Sequence, residues 1–447
     1  MKQIPRARII AIVMGLCVIG DSMLYVTLPA SYVDLGLDSR VTGLILSANR
    51  FTRIAFNPLA SVLVGKLGFR KSAILSACLA LTCTLGYSIV QSPVVWVSLR
   101  VIWGLVWSII RLTAFLATLE ESVPGKSGQA LGTMQRLVRI GSITGTFGGG
   151  FLMDRLGFRG AAGVLGVVTC LALPLALSVK DRSRPHTAIG DAASDGATGE
   201  GTGDGGKETG AGPRKHGATG AAASIPPREP GAPARDWSGI LRSIRRGLVV
   251  YGSTFGLAVA VAGIFISTTG ALFRELFAGR REVLVFGVAW GLGSLVGFIQ
   301  SFRWLSDILF APSIGRLSDR YGRALPLFGI ALAEFVAGSV IWLYRGIEAI
   351  TLAEIALFIA HSFALVVLSS AAADLGKVEN PSVPMTIYAT CLDVGDAIGP
   401  MVAYFLIDLG ARAAYLVGVV VIGLVVAGWA YLLVRSRRVS RPEAAAR

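Results

Sequence analysis

Apolar runs of about 20 residues, separated by short polar punctuation, recur along almost the whole chain. They fall near 9–33, 41–64, 72–91, 94–119, 129–152 and 160–179, and again near 248–272, 284–311, 325–343, 349–373, 384–407 and 414–434. A run of that length is what a helix needs to cross a hydrocarbon core about 30 Å thick at ~1.5 Å per residue. Lipid offers no partner to a free backbone N–H or C=O, so helices are the economical reading. The pattern predicts an all-α polytopic membrane protein with twelve transmembrane helices. The first run follows Lys2, Arg6 and Arg8 and extends too far for the core of a signal peptide, so it reads as a retained first helix.

Between the sixth and seventh runs the pattern stops. The stretch "GATGEGTGDGGKETGAGPRKHGATGAAAS" cannot bury enough apolar surface to offset its ordering entropy, which predicts a disordered cytoplasmic linker over 181–247. Its end, "WSGILRSIRRG" (Trp237 to Gly247), sets Ile240, Leu241 and Ile244 among Arg242, Arg245 and Arg246. That spacing predicts a short amphipathic helix lying on anionic lipid of the inner leaflet. The chain divides into a six-helix bundle at 1–180, the linker, a second six-helix bundle at 248–434, and a basic cytoplasmic tail at 435–447.

Composition sharpens this. The chain is 53% hydrophobic and 15% charged, where soluble domains carry roughly 25% charged residues, and its mean hydropathy is +0.65. The net charge of +15 would suit nucleic acid, but most of the 42 Lys and Arg sit on one side of the predicted topology. That asymmetry places both termini in the cytoplasm and the protein in the cytoplasmic membrane, with no nucleic-acid partner required. Cys17, Cys78, Cys83, Cys170 and Cys391 lie inside predicted spans without metal-ligand or disulfide spacing. No cofactor, metal site or enzymatic constellation is expected. No G-x-x-x-x-G-K-[ST] loop is present either, so an ion gradient must supply any work.

The halves repeat. "SVLVGKLGFRK", starting at Ser61, is a worn copy of "GRLSDRYGR", starting at Gly315, and at the same offset Pro58 falls on Pro312 and "RIGSITGT" (Arg139 to Thr146) on "DVGDAIGP" (Asp393 to Pro400). Two six-helix units in the same topological order are what such a repeat implies. "GRLSDRYGR" resembles the loop between helices 8 and 9 of the major facilitator superfamily, and "SVLVGKLGFRK" its counterpart between helices 2 and 3. The resemblance covers all twelve spans. It implies a cytoplasmic gate built from Gly315, Arg316, Asp319, Arg320, Gly322 and Arg323, with Lys66, Gly68 and Arg70 in the other copy, which locks the halves in the outward-open state. Gly65 stands where that copy should carry its aspartate. "RVIWG", with Arg100 and Gly104, is similar to a helix 4 signature tied to proton coupling, and Gly141, Gly145, Gly149 and Gly150 to a helix 5 signature of exporting antiporters. "GDSMLYVTLPA" looks like the first helix of drug:proton antiporters, with Asp21 as its membrane acid. The resemblance also implies a monomer. The plainer reading of the glycine row is close helix packing.

Charge placement gives an independent view. Asp21, Arg53, Arg139, Asp307, Asp393 and Asp396 fall near the middle of their runs, with Arg50, Arg100, Arg111, Arg136 and Arg303 within a few turns. A lone charge at a helix centre costs about 2.5–3.5 kcal/mol, so these groups must pair or face water. They occupy the first, second, fourth, fifth, eighth and eleventh runs, with a basic wall in the N-terminal half and an acidic one in the C-terminal half. Arg303 and Asp307, four residues apart, read as an intrahelical ion pair. Asp393 and Asp396 either couple protons or neutralise Arg139 and Arg136 across the interface. These readings give a secondary transporter working by alternating access, with proton-coupled efflux ahead of proton-coupled uptake of an organic anion or a transporter-like scaffold. Asp21, Arg100, Asp393 and Asp396 are its candidate coupling groups. Arg53, Arg111, Arg139 and His361 are candidate contacts to a small anionic or amphipathic substrate, although His361 also suits a hydrogen-bonded core.

Overall fold

A computed structural model describes residues 5–123, 126–180, 243–244, 247–376 and 382–444. Almost all of the 181–247 linker lies outside the described residues. The first six spans run through α1 (Arg6–Ser31), α2 (Ser39–Ile89), α3 (Pro93–Glu121), α4 (Ser127–Ile143), α5 (Gly149–Thr169) and α6 (Ala172–Ser178), with a π-helical turn at Thr144–Gly148 joining α4 to α5. α2, at 51 residues, is about 75 Å of helix at ~1.5 Å per residue, far more than one crossing needs. It is two spans bent at Gly68, where φ is +74° and ψ 176°. α5 turns at Gly157 in the same conformation, φ +70° and ψ 176°, so the fifth and sixth spans also share one unbroken trace. Only glycine takes that backbone without strain.

The second six spans use α7 (Leu248–Leu257), a π-helical stretch (Ala258–Phe265), α8 (Ile266–Phe277), α9 (Leu292–Tyr321), α10 (Ala324–Leu343), α11 (Ile347–Leu375), α12 (Ser382–Ile407) and α13 (Ala411–Ala444). Nine helical segments of the described residues are long and apolar enough to cross a membrane, and two of these, Ser39–Ile89 and Ser127–Ser178, hold two passes each. α9 carries too many charges to count on hydropathy, yet its 30 residues complete the twelve.

Two sequence expectations change. The eighth run does not begin as helix at 284, because β1 (Glu282–Val285) and β2 (Val288–Gly291) form an antiparallel hairpin that pairs Val285 with Val288. Phe286 and Gly287 both have positive φ, 52° and 76°, which a two-residue primed turn demands. The tail does not separate at 435, since α13 continues as helix to Ala444.

Packing follows the repeat. In the N-terminal half, Gly141, Gly145 and Gly149 meet Gly15, Ile19 and Met23 of α1 so closely that a Cβ at any of them would collide. Gly395 and Gly399 do the same on the seventh span, against Ala258 and Gly263. The glycine rows therefore set the approach of the first to the fifth span and of the seventh to the eleventh.

Candidate functional site

Polar contacts join the halves at mid-depth and on the side away from the N-terminus, called here the far side. There, Arg274 grips Asp34 with two hydrogen bonds of 2.5 and 2.7 Å and donates to the Ala30 carbonyl at 2.9 Å. Asp154, at the end of the fifth span, accepts from the Gly293 and Ser294 amides at the start of α9, both at 2.7 Å. Its mirror in the repeat is Asp408, which accepts from Ser39 Oγ at 2.8 Å at the start of α2, with Arg40 at 3.9 Å. A carboxylate at a helix N-terminus satisfies orphan amides and meets the positive end of the helix dipole. Backbone contact completes the seal. A Cβ on Gly150 would overlap the Gly293 carbonyl, and one on Gly270 would press on Pro29 and Ala30.

The charged layer lies below this seal. Arg100, with no exposed surface, pairs with Asp21 at 2.5 Å, donates from Nε to the Ile45 carbonyl at 3.1 Å and from Nη2 to the Tyr25 hydroxyl at 3.2 Å. Arg50 Nε reaches the same hydroxyl at 3.2 Å. Three ion pairs then cross between the halves: Arg50 with Asp396, Arg53 with Asp393 at 2.6 Å, and Arg139 with Asp307 at 2.9 Å. Ser362 of the tenth span also donates to Asp307.

The partners differ from the sequence reading. Asp307 serves Arg139 rather than Arg303, whose guanidinium instead lies 3.8 Å over the Trp304 ring. Asp393 and Asp396 neutralise Arg53 and Arg50, not Arg139 and Arg136. The reason is rotational: the second span, rather than the fifth, faces the eleventh, as the approach of Gly43 to Pro400 and Tyr404 shows. Arg111 and Arg136 are exposed and form no ion pair among the described residues. His361 is not brought to the cavity face. It is 1% exposed, with Nδ1 3.3 Å from Glu334 Oε1 on the ninth span. Glu354, fully buried on α11, escaped the sequence reading because it lies near the start of its expected run, 349–373.

Arg323 and Arg316 of the gate motif find partners within the C-terminal half. Arg323 binds Asp319 at 2.6 Å, Asp374 at 2.7 Å and Ser318 at 2.8 Å, Arg316 donates to Ser313 at 3.2 Å, and Arg320 lies over Tyr321. Gly322 has the backbone of Gly68 and Gly157, φ +76° and ψ 172°, while Gly315 sits in regular helix with open space beside it. Lys66 and Arg70 flank the Gly68 bend on the same side. Leu59, Val62, Leu309 and Phe310, on the terminus-side halves of the second and eighth spans, are about half exposed. The contacts described above join the halves at mid-depth and on the far side, while these four apolar side chains lie open on the terminus side.

Comparison with known proteins agrees with this geometry. A family model described as Major Facilitator Superfamily matches residues 10–307 and 292–447. Two curated relatives, both "Multi-drug resistance efflux pump PmrA" from strains of Streptococcus pneumoniae, are 31% identical over 166 residues, 35% of this chain and 41% of theirs. The chain thus matches only about two fifths of those relatives' length. Among solved structures, the nucleoside transporter NupG superposes with a TM-score of 0.67 at 12% identity, covering 96% of this chain and 99% of that one. A bacterial homolog of the human lysosomal transporter Spinster, in an inward-facing and unoccupied conformation, gives 0.65 at 13% identity over 97% and 96% of the two chains. At these identities the likeness concerns the fold.

Proposed function

The chain belongs to the Major Facilitator Superfamily, and from that premise we propose a proton-coupled secondary transporter that moves a small organic solute by alternating access about the mid-depth ion-pair layer. The observation that carries this reading is the trio of cross-half pairs, Arg50 with Asp396, Arg53 with Asp393 and Arg139 with Asp307. Charges at this depth are costly unless paired, so exchanging partners there changes which arrangement of the halves is stable. Protons and solute can each alter that pairing. The basic terminus side is taken as cytoplasmic, which makes the state described inward-open.

Asp393 and Asp396 are the proposed proton carriers at the interface, with Asp21 and Arg100 a coupled pair inside the N-terminal half. Export follows the PmrA relatives. Uptake of an organic anion is the second reading, favoured by the arginine excess of the layer. The test is proton movement in vesicles carrying the reconstituted protein, read with an internal pH dye as candidate solutes are added. Asp393→Asn and Asp21→Asn should each abolish the solute-dependent pH change. Wild-type solute transport by both variants under a proton gradient would sink the coupling scheme.

A further inference from the structure

The charge of the layer does not balance. The second span brings Arg50 and Arg53, the fourth Arg100 and Arg111, the fifth Arg136 and Arg139, and the eighth Arg303. Against these stand Asp21 on the first span, Asp307 on the eighth, and Asp393 and Asp396 on the eleventh. The seventh span has no charged side chain at this depth, the tenth offers Ser362, and the His361 and Glu334 pair lies behind it. Each aspartate is already paired with its own arginine.

The unfilled hydrogen-bonding capacity points the same way. Arg53 Nε, Arg303 Nε, Trp107 Nε1 and Trp304 Nε1 are buried donors without an acceptor. Trp107 lies under the Arg53 guanidinium at 5.9 Å, and Trp304 has Arg139 at 4.3 Å and Arg303 at 3.8 Å. The four donors therefore belong to two clusters, one on each of the cross-half pairs Arg53 with Asp393 and Arg139 with Asp307. On the third cross-half pair, Arg50 with Asp396, the Asp396 Oδ1 atom is a buried acceptor left over. Two guanidiniums on one indole, only one of them neutralised, form a place that lacks an anion.

We infer that the transported solute is an organic anion whose acid group binds Arg303 and the Trp304 N–H, and that it binds together with protons rather than in exchange for them. The inference rests on the transporter reading, takes its uptake direction over export, and fixes the sign of its coupling. An anion on Arg303 and the carboxylate of Asp307 compete for Arg139, which shares the Trp304 ring with Arg303. A proton on an aspartate removes that competitor and frees its arginine for the solute, so the two ligands help each other and cross in the same direction. A cationic solute would instead compete with the proton for the aspartates, the linkage expected of an exchanger.

The experiment is a binding titration of the purified full-length protein with benzenesulfonate, which stays anionic throughout, read by tryptophan fluorescence and thermal shift at about pH 5.5 and about pH 8. Tetraphenylphosphonium is the cationic counterpart. Benzenesulfonate should bind more tightly at the lower pH, and Arg303→Gln should weaken it about tenfold or more. Trp304→Phe, which keeps the ring and removes the N–H, should weaken it severalfold and stands in if Arg303→Gln does not fold. No binding at either pH, an affinity that falls or stays flat as pH drops, or wild-type binding by both variants each overturns the inference. Tetraphenylphosphonium that binds more tightly at high pH and is lost in Asp393→Asn overturns it too, yet leaves proton-coupled transport standing. Benzenesulfonate binding as expected, with no solute-driven proton movement in vesicles, would instead leave the anion site and remove the transport reading.

Discussion

Arg100 is the most fully specified charge among the described residues, because Asp21, the Ile45 carbonyl and the Tyr25 hydroxyl all receive donors of a guanidinium that has no exposed surface. Removing one member of such a pair strands the other, a loss of about 3–5 kcal/mol. Asp21→Ala should therefore lower thermal stability in detergent by an amount of that order. Adding Arg100→Ala should recover part of the loss, a coupling of about 0.5–3 kcal/mol in a double-mutant cycle. Asp34 behaves differently because it sits outside the spans. Its two hydrogen bonds from Arg274 hold its carboxyl below the ordinary carboxylate range. A lowered folded value stabilises the clasp above the unfolded value of about 3.9 and withdraws that support as pH falls through the lowered value. A nitroxide at Val33→Cys should keep the same mobility from neutral pH down to about pH 5 and loosen only below about pH 4, whereas Arg274→Gln should loosen it at every pH. At this scale the sequence identified which residues are charged at depth, since hydropathy makes each of them conspicuous. It did not identify their partners, because a pairing such as Arg53 with Asp393 depends on which helix faces face each other across 340 residues of chain.

Elements were legible wherever length and hydropathy decide, and were misread where another signal competes. The hairpin at Glu282–Gly291 is apolar enough to pass for helix, and the positive φ of Phe286 and Gly287 with the cross-strand pairing it allows distinguishes it. The glycine bends were partly visible. "LGFR" stands at Leu67–Arg70 and again at Leu156–Arg159, which marks the bends at Gly68 and Gly157 as one device. Gly157→Ala should cost about 1–3 kcal/mol through backbone strain alone, since open space surrounds it. Gly148→Ala, in helical backbone with equally open surroundings, should stabilise by up to about 1 kcal/mol, what helix propensity allows. Thermal unfolding of the two variants side by side separates conformation from packing.

For the whole molecule, the repeat predicted two matched halves, and the structure adds how they are clasped. Asp154 at the start of α9 and Asp408 at the start of α2 occupy equivalent places in the two halves, so each half closes on a helix N-terminus of the other. Nothing in a single sequence announces this, because an aspartate just outside a span looks like any polar end residue until its partner helix is known. On the alternating-access reading proposed above, the clasp opens for the far side to admit water while the terminus side closes. Asp154→Asn with Asp408→Asn keeps the shape of both side chains, removes both charges, and forfeits two interactions of about 0.3–1 kcal/mol each with the facing helix ends. A penalty of that size shifts a balanced two-state equilibrium severalfold. Spin labels at Lys66→Cys and Arg316→Cys, on the terminus side of the two halves and in a background without the native cysteines, should report a larger short-distance population in the double variant than in its parent. If the distance distribution is unchanged, the aspartates merely cap helices, and the closed far side is held instead by Gly150 against Gly293 and Gly270 against Pro29. In that case Gly150→Val, which forces those backbones apart, should produce the shift that the aspartate variant did not.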